Sequence, residues 1–397
     1  MRVVVIRLSS ATWQLVISFH HVLLDGWSLA IVFSEAAAHY QAYCQGQEPR
    51  LEPPRPFEDY IAWLQEQDVG GATAFWRRML EGYQGPAPIS VDLAPGTPPG
   101  PNGQYESQQA TVSRETTAAL QSLARAHQLT LNTLVQAAWA VLLSRYTGDE
   151  NVVFGATASG RPAALRGVES MVGLFINTLP VRVQVDLEAP LLPWLKHLQK
   201  LQLEARQYEH SPLVDVQGWS EVPRGTPLFE TLVGFENYPR GAGVREDHGA
   251  VTMGDVFERT NYPLTLIVSP GAELAIVLMY VSARFERASI ASMLSHFQTL
   301  LGAMATGPHR RVGDLPLATE AERRRLLVEW NDTRMAYGAD ACVHRLFERW
   351  VMRTPEAPAV SCDQERLSYA ELNDRANRVA RALRRRRVSV GSPVAIC

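Results

Sequence analysis

The residues best equipped for chemistry lie close together near the start of the chain. In Ser18-Phe19-His20-His21-Val22-Leu23-Leu24-Asp25-Gly26-Trp27-Ser28, two imidazoles are followed by a carboxylate and a glycine. Histidine takes or gives a proton near neutral pH. Asp25 has the chemistry to orient an imidazole or to hold the loop through a cation, and Gly26 suits a tight turn before a helix. On the residues alone, the first reading is a buried structural histidine beside a turn. The second is a proton-transfer site.

The flanking pattern says what must position these groups. Trp13, Leu15, Ile17 and Phe19 alternate with Gln14, Val16 and Ser18, the period of a strand. Leu29, Val32, Phe33, Ala36, Ala37 and Tyr40 follow at helical spacing, for a helix to about Tyr40. The two histidines are therefore expected at the C-terminal end of a strand, one facing the interior and one a cleft. Such strand ends are common places for chemistry.

The whole chain narrows the function classes. Its 397 residues suffice for two or three domains. With 46% apolar residues, 20% charged residues and a net charge of −3, nothing points to nucleic acid or to an anionic membrane. No apolar run reaches the length of a membrane span. Met1 to Arg7 reads as a strand rather than a signal peptide. Cys44, Cys342, Cys362 and Cys397 lie far apart, with neither metal-type pairing nor a disulfide framework, which fits a reducing cytoplasm. A glycine-rich phosphate loop and a G-x-S-x-G elbow are both missing.

Beyond the opening motif, helices are expected from Phe57 and through Phe75 to Leu80. A Pro/Gly-rich connection follows from Gly85 to Gly103. Ser113 and Thr130 are placed to cap two helices, the second ending near Gly148. Strands are expected at 152–157, 181–185, 230–236, 262–269 and 273–281, with helices at 191–208 and 286–305. This alternation reads as an α/β layer. Further on, Glu320 to Leu327 is helical in pattern, and Ser368 with Glu371 has capping-box spacing. Val394 to Cys397 reads as the middle of a buried strand.

These residues carry a family likeness. His20-His21-Val22-Leu23-Leu24-Asp25-Gly26 resembles the HHxxxDG signature of condensation domains in non-ribosomal peptide synthetases. Further segments resemble the family's motifs in the same order. They are Pro56-Phe57-Glu58-Asp59-Tyr60 with Trp63, Ser159-Gly160-Arg161-Pro162, and Met171 to Thr178. Tyr208-Glu209-His210-Ser211-Pro212-Leu213, Phe235 to Pro239, and Arg259 to Leu264 come after them. The tail, through Leu367 to Leu372 and Gly391 to Ile396, is similar to the start of an adenylation (AMP-binding) domain.

The resemblance implies an α/β fold of two chloramphenicol-acetyltransferase-like lobes in a V, with the N-terminal lobe incomplete, plus a small α/β piece of an adenylation domain. The expected boundaries are a condensation domain over 1–305, with 1–84 the remainder of the N-terminal lobe, 85–104 a linker and 105–305 the C-terminal lobe. A linker over 306–340 and an adenylation fragment over 341–397 follow. The motif lies far into the domain in that family and near residue 20 here, so the chain reads as a fragment at both ends. The strands before His20 are then expected to expose an edge and apolar faces.

The implied reaction is peptide-bond formation between acyl groups held as thioesters on the phosphopantetheine arms of donor and acceptor carrier proteins. The partners are those carriers and the rest of the synthetase. The resemblance implies no directly bound cofactor and no metal. ATP is not expected for this piece, because the later adenylation motifs are missing. His21 is the implied catalytic residue, as a proton acceptor or a positioning group. His20 is structural, Asp25 pairs with Arg161, and Gly26 keeps the loop tight. Ser159, Asn177 and Asn261 are candidates for lining the tunnel, equally read as packing or turn-capping residues. Tyr60, Trp63, Phe75 and Trp76 read as core, and His210 as structural. Leu23-Leu24 and Trp27-Ser28-Leu29 look like the type that joins two L-configured residues. An epimerization domain of the same fold and an inactive remnant stay open.

Overall fold

The computed structural model describes residues 1–49, 51–96, 104–237, 260–335, 342–363 and 365–396. They form two compact units, Met1–Glu322 and Arg323–Cys397.

The first unit opens with strands β1 (Arg2–Arg7) and β2 (Trp13–Ser18), an antiparallel pair in which Val4 faces Val16. Helix α1 (Gly26–Cys44) follows, then α2 (Glu58–Gln65) and α3 (Val69–Met79). Next come β3 (Tyr105–Val112), α4 (Arg114–His127), α5 (Leu131–Thr147), β4 (Asn151–Ala158) and β5 (Asn177–Gln184). Helices α6 (Leu191–Arg206) and α7 (Leu213–Trp219) precede β6 (Thr231–Phe235), β7 (Leu264–Ser269) and β8 (Leu274–Val281). Helix α8 (Arg287–Thr306) completes the series, and the short α9 (Glu320–Arg324) spans the division between the units.

Six of these strands make one mixed sheet in the order β3-β8-β7-β6-β4-β5. The β4–β6 and β6–β7 pairs are parallel, and the others are antiparallel. The period of two decides which face each strand residue serves. Val152 and Phe154 enter the main core with Leu120, Trp139, Leu142 and Phe297 of the helices. Val153, between them in sequence, joins Phe75, Trp76, Val216 and Phe229 on the opposite side. Gly155 leaves room there, since a Cβ at that position would lie 2.3 Å from the Phe229 ring. The caps expected at Ser113 and Thr130 are made, each side chain accepting an N–H three residues on, and α5 ends in left-handed Gly148.

The second unit has α10 (Val343–Arg353), the antiparallel pair β9 (Pro358–Cys362) and β10 (Glu365–Ser368), and α11 (Tyr369–Arg385). Ser368 and Glu371 form the reciprocal capping box at the start of α11.

The structure corrects several expectations. β2 stops at Ser18, so the histidines are not strand residues and the alternation rule does not sort them. Residues 85–96 do not run free, because Ile89 is buried, Ser90 donates its N–H to the Tyr146 carbonyl at 2.9 Å, and Asp92 meets Arg284. The rest of that expected linker, 97–103, lies outside the described residues. Val312 and Leu315 are buried, which draws the start of the second expected linker into the core. Residues 393–396 form no strand and Ile396 is exposed, since neither β9 nor β10 pairs with them. Strands β3, β9 and β10 and helices α7 and α10 were not expected. Tyr238, Pro239, Arg259 and Cys397 lie outside the described residues.

Candidate active site

The His-His-Asp-Gly segment is a turn between a hairpin and a helix. His20 Nδ1 accepts the Val22 N–H at 3.1 Å, and the His20 carbonyl accepts the Leu23 N–H at 3.0 Å. Both histidines are exposed, which corrects the expectation that one faces the interior. Once the chain has turned at His20, neither side chain is directed by a pleat. Leu24 and Asp25 then plunge into the protein.

Asp25 is the N-cap of α1, and its Oδ1 accepts the Ser28 N–H at 2.7 Å. Its Oδ2 accepts the N–H groups of Phe175 and Ile176 at 3.0 and 3.3 Å. Arg161 Nη2 approaches Oδ1 at 3.4 Å, and the two side chains are 4% and 2% exposed. At this distance the ion pair is one part of a wider knot. Arg161 Nη1 donates to the Val168 and Met171 carbonyls at 2.5 and 2.9 Å, and Nη2 donates to Ser28 Oγ at 2.9 Å. The guanidinium lies 3.9 Å from the Phe175 ring centre and 5.4 Å from that of Trp27. Burial pulls the Arg161 guanidinium below its ordinary range while Asp25 opposes that pull.

Ser28 closes the knot. Its hydroxyl donates to the Gly173 carbonyl at 2.7 Å and accepts from the Gly173 N–H at 3.1 Å. Trp27 Nε1 donates to the Glu169 carbonyl at 2.9 Å. Two glycines permit the close approach. Gly160 sits at φ +62°, with the Phe175 carbonyl oxygen 1.7 Å from where a Cβ would be. A Cβ on Gly173 would lie 2.2 Å from the Phe57 ring.

The other candidates divide. Ser159 and Asn261 are exposed. Asn177 Nδ2 donates to the Glu209 and Ser211 carbonyls at 2.8 and 2.7 Å, so it shapes the neighbouring loop. Gly26 is the first residue of α1, next to the Asp25 cap. Phe75 and Trp76 are buried, with Trp76 Nε1 donating to Ser211 Oγ at 3.0 Å. Tyr60 and Trp63 pack beside Phe175, and burial, with Glu209 nearby, pushes the Tyr60 phenol up to about 12. His210 meets the Trp63 ring edge-on at 6.0 Å, and burial lowers its pKa. Burial also raises the Glu209 carboxyl, whose Oε2 has no hydrogen-bond partner among the described residues. The sequence pattern gave Trp27 and Ser28 only as part of a type-marking segment, with no bonding role, and singled out no role for Glu209. The signal for Ser28 was its place three residues after an N-cap aspartate. No group of three His, Cys, Asp or Glu side chains that could hold a metal gathers among the described residues. No helix among them is long and apolar enough to cross a membrane.

The chain that builds this knot matches known families. Residues 1–327 match the Condensation domain family and residues 347–397 match the AMP-binding enzyme family. The chain belongs to the condensation-domain family and continues into the start of an AMP-binding domain. It is 46% identical over 400 aligned residues to one of the linear gramicidin synthase proteins of Brevibacillus parabrevis, covering 100% of this chain and 8% of that protein. It is 36% identical to bacitracin synthase 3 of Bacillus licheniformis, again over 100% of this chain, and spans 6% of that synthase. Among solved structures, a four-domain nonribosomal peptide synthetase superposes with a TM-score of 0.71 at 20% identity, covering 94% of this chain and 29% of the other. That likeness concerns the fold.

Proposed function

We propose that the chain contributes the condensation step of a non-ribosomal peptide synthetase. A donor acyl or peptidyl thioester and an acceptor aminoacyl thioester arrive on the phosphopantetheine arms of carrier proteins. The acceptor amine attacks the donor carbonyl, the C–N bond forms, the C–S bond breaks, and the amine's proton leaves as the donor arm departs as a thiol. The observation that carries this reading is the location of His21. It is exposed on a turn whose far end is locked by buried Asp25. An accessible imidazole on a fixed support can meet the amine, and holding two reactants in place supplies much of the rate in such a transfer. His20 folds the turn through its own Nδ1, and Asp25, Arg161 and Gly26 position it. Leu23-Leu24 and Trp27-Ser28-Leu29 support joining of two L-configured residues.

The test is dipeptide formation by the full chain with loaded donor and acceptor carriers. His21→Ala is expected to lower the rate at least about a hundredfold, the lower range for a positioned proton-transfer group. A pH–rate profile then separates the roles of the imidazole. A limb that disappears in His21→Ala marks proton acceptance, and a flat profile with the same loss marks positioning. Product carrying only the D-epimer, or an unchanged rate in the variant, would sink the proposal.

A further inference from the structure

Away from the Asp25 knot, a groove of about 330 Å³ runs between α3, α6 and the edge strand β5. Its apolar lining is Phe75, Met79 and Leu201, and its nitrogen-bearing lining includes the guanidiniums of Arg78 and Arg182 and the imidazole of His197. Arg182 is held before any ligand arrives. Its Nε donates to Asn151 Oδ1 at 2.9 Å, and its Nη1 donates to the Met79 and Glu81 carbonyls at 3.2 and 2.6 Å. Its Nη2 makes no hydrogen bond to a described residue. Arg78 lies across the Phe75 ring at 5.6 Å and makes no ion pair among the described residues. One carboxylate, Glu204, also lines the groove, and Lys200 approaches it at 3.8 Å. Two guanidiniums and an imidazole thus share one concavity with a single lining carboxylate among the described residues, Glu204, which faces Lys200. The two guanidiniums repel one another unless an anion lies between them. A guanidinium fixed in advance forfeits little freedom when it binds an oxyanion.

We infer that this groove binds an amphiphilic phosphate ester, with the phosphate between Arg78, Arg182 and His197 and an apolar stem over Phe75, Met79 and Leu201. The two guanidiniums match a dianion better than a single carboxylate. The volume stands at the small end of ligand pockets, which are roughly 300–1,000 Å³.

Calorimetric titration of the full chain with octyl phosphate, inorganic phosphate and octyl glucoside tests both halves of the site. Octyl phosphate should bind once per chain, inorganic phosphate about tenfold more weakly, and the neutral glucoside immeasurably. Arg78→Glu and His197→Glu should each weaken octyl phosphate about tenfold or more, the scale of one hydrogen bond to a charged group. Arg78→Lys should keep part of the affinity. Both positions are exposed, and a melt matching the parent chain's confirms that each variant folds. No binding of octyl phosphate, equal binding of the glucoside, or indifference to both glutamate variants would overturn the assignment.

Discussion

Two buried arginines hold this protein in different ways. Arg161 answers Asp25, yet most bonds in that knot run to main chain: Phe175 and Ile176 amides, and Val168, Met171 and Gly173 carbonyls. Arg284 instead answers two side-chain carboxylates. It bonds Asp92 through Nε at 3.1 Å and through Nη2, and Glu230 at 2.9 and 3.0 Å. Burial alone would lower the Arg284 pKa, but the hydrogen bonds and charges of Asp92 and Glu230 outweigh it and raise the group. The second knot gathers one guanidinium and two carboxylates, tying Asp92 of the segment after α3 to Glu230 beside β6. The first fixes the course of a backbone, which is what the proposed role of the His21 loop needs.

Removing each arginine's partnership should separate the two. Arg284→Met strands two carboxylates that are 0% and 11% exposed. The expected loss is about 5 kcal/mol, the upper end for breaking a buried ion pair. Urea denaturation measures it, and a loss under about 1 kcal/mol, the worth of an exposed pair, would break the comparison. Asp25→Ala should cost less, about 3 kcal/mol, because Arg161 keeps its carbonyl and hydroxyl acceptors. Its effect on dipeptide formation should be the larger one, since the His21 turn loses its anchor. Full activity in Asp25→Ala would refute the positioning role.

Asn177→Ala sharpens the contrast with a neutral group that also bonds main chain. Two lost hydrogen bonds should cost about 1–3 kcal/mol, and amide exchange should quicken first around Ser211. Glu209 is the smallest case, a carboxyl that burial raises while the nearby charge of Arg206 pulls the other way. Its pKa rises on folding, so the folded chain keeps a proton that the unfolded chain releases, and stability falls as pH rises through that window. Glu209→Gln should therefore raise the melting temperature at pH 7. The gain should vanish below the ordinary carboxyl value of 4.5. A gain of equal size at pH 4 would contradict the burial argument.

Much of the fold was legible because local signals agreed with it. Ser113, Thr130 and Gly148 mark their helices unaided, and the Ser368–Glu371 box marks another. β3 hid because Glu106, Ser107, Gln108 and Gln109 break the apolar alternation, and it becomes a strand by pairing with β8. Charges at Arg345, Glu348, Arg349 and Arg353 obscure the apolar stripe of α10. At the site, the side-chain types were readable and Arg161 could be named for Asp25. The amides of Phe175 and Ile176 and the carbonyl of Gly173 could not, because main-chain partners have no letter in a sequence. The turn at His20 was misread because a strand's pattern does not announce the residue at which pairing stops.

The β1–β2 hairpin has one more consequence. Val3, Val5, Trp13 and Leu15 are all more than half open to water. The hairpin therefore has little to resist local opening, and its amides should exchange with solvent while those of β7 and β8 remain protected. His21 is then a cantilever. It is clamped at the Asp25 end and joined to a weakly held hairpin at the other, so in the proposed reaction the turn, rather than the strand before it, would set the aim of its imidazole.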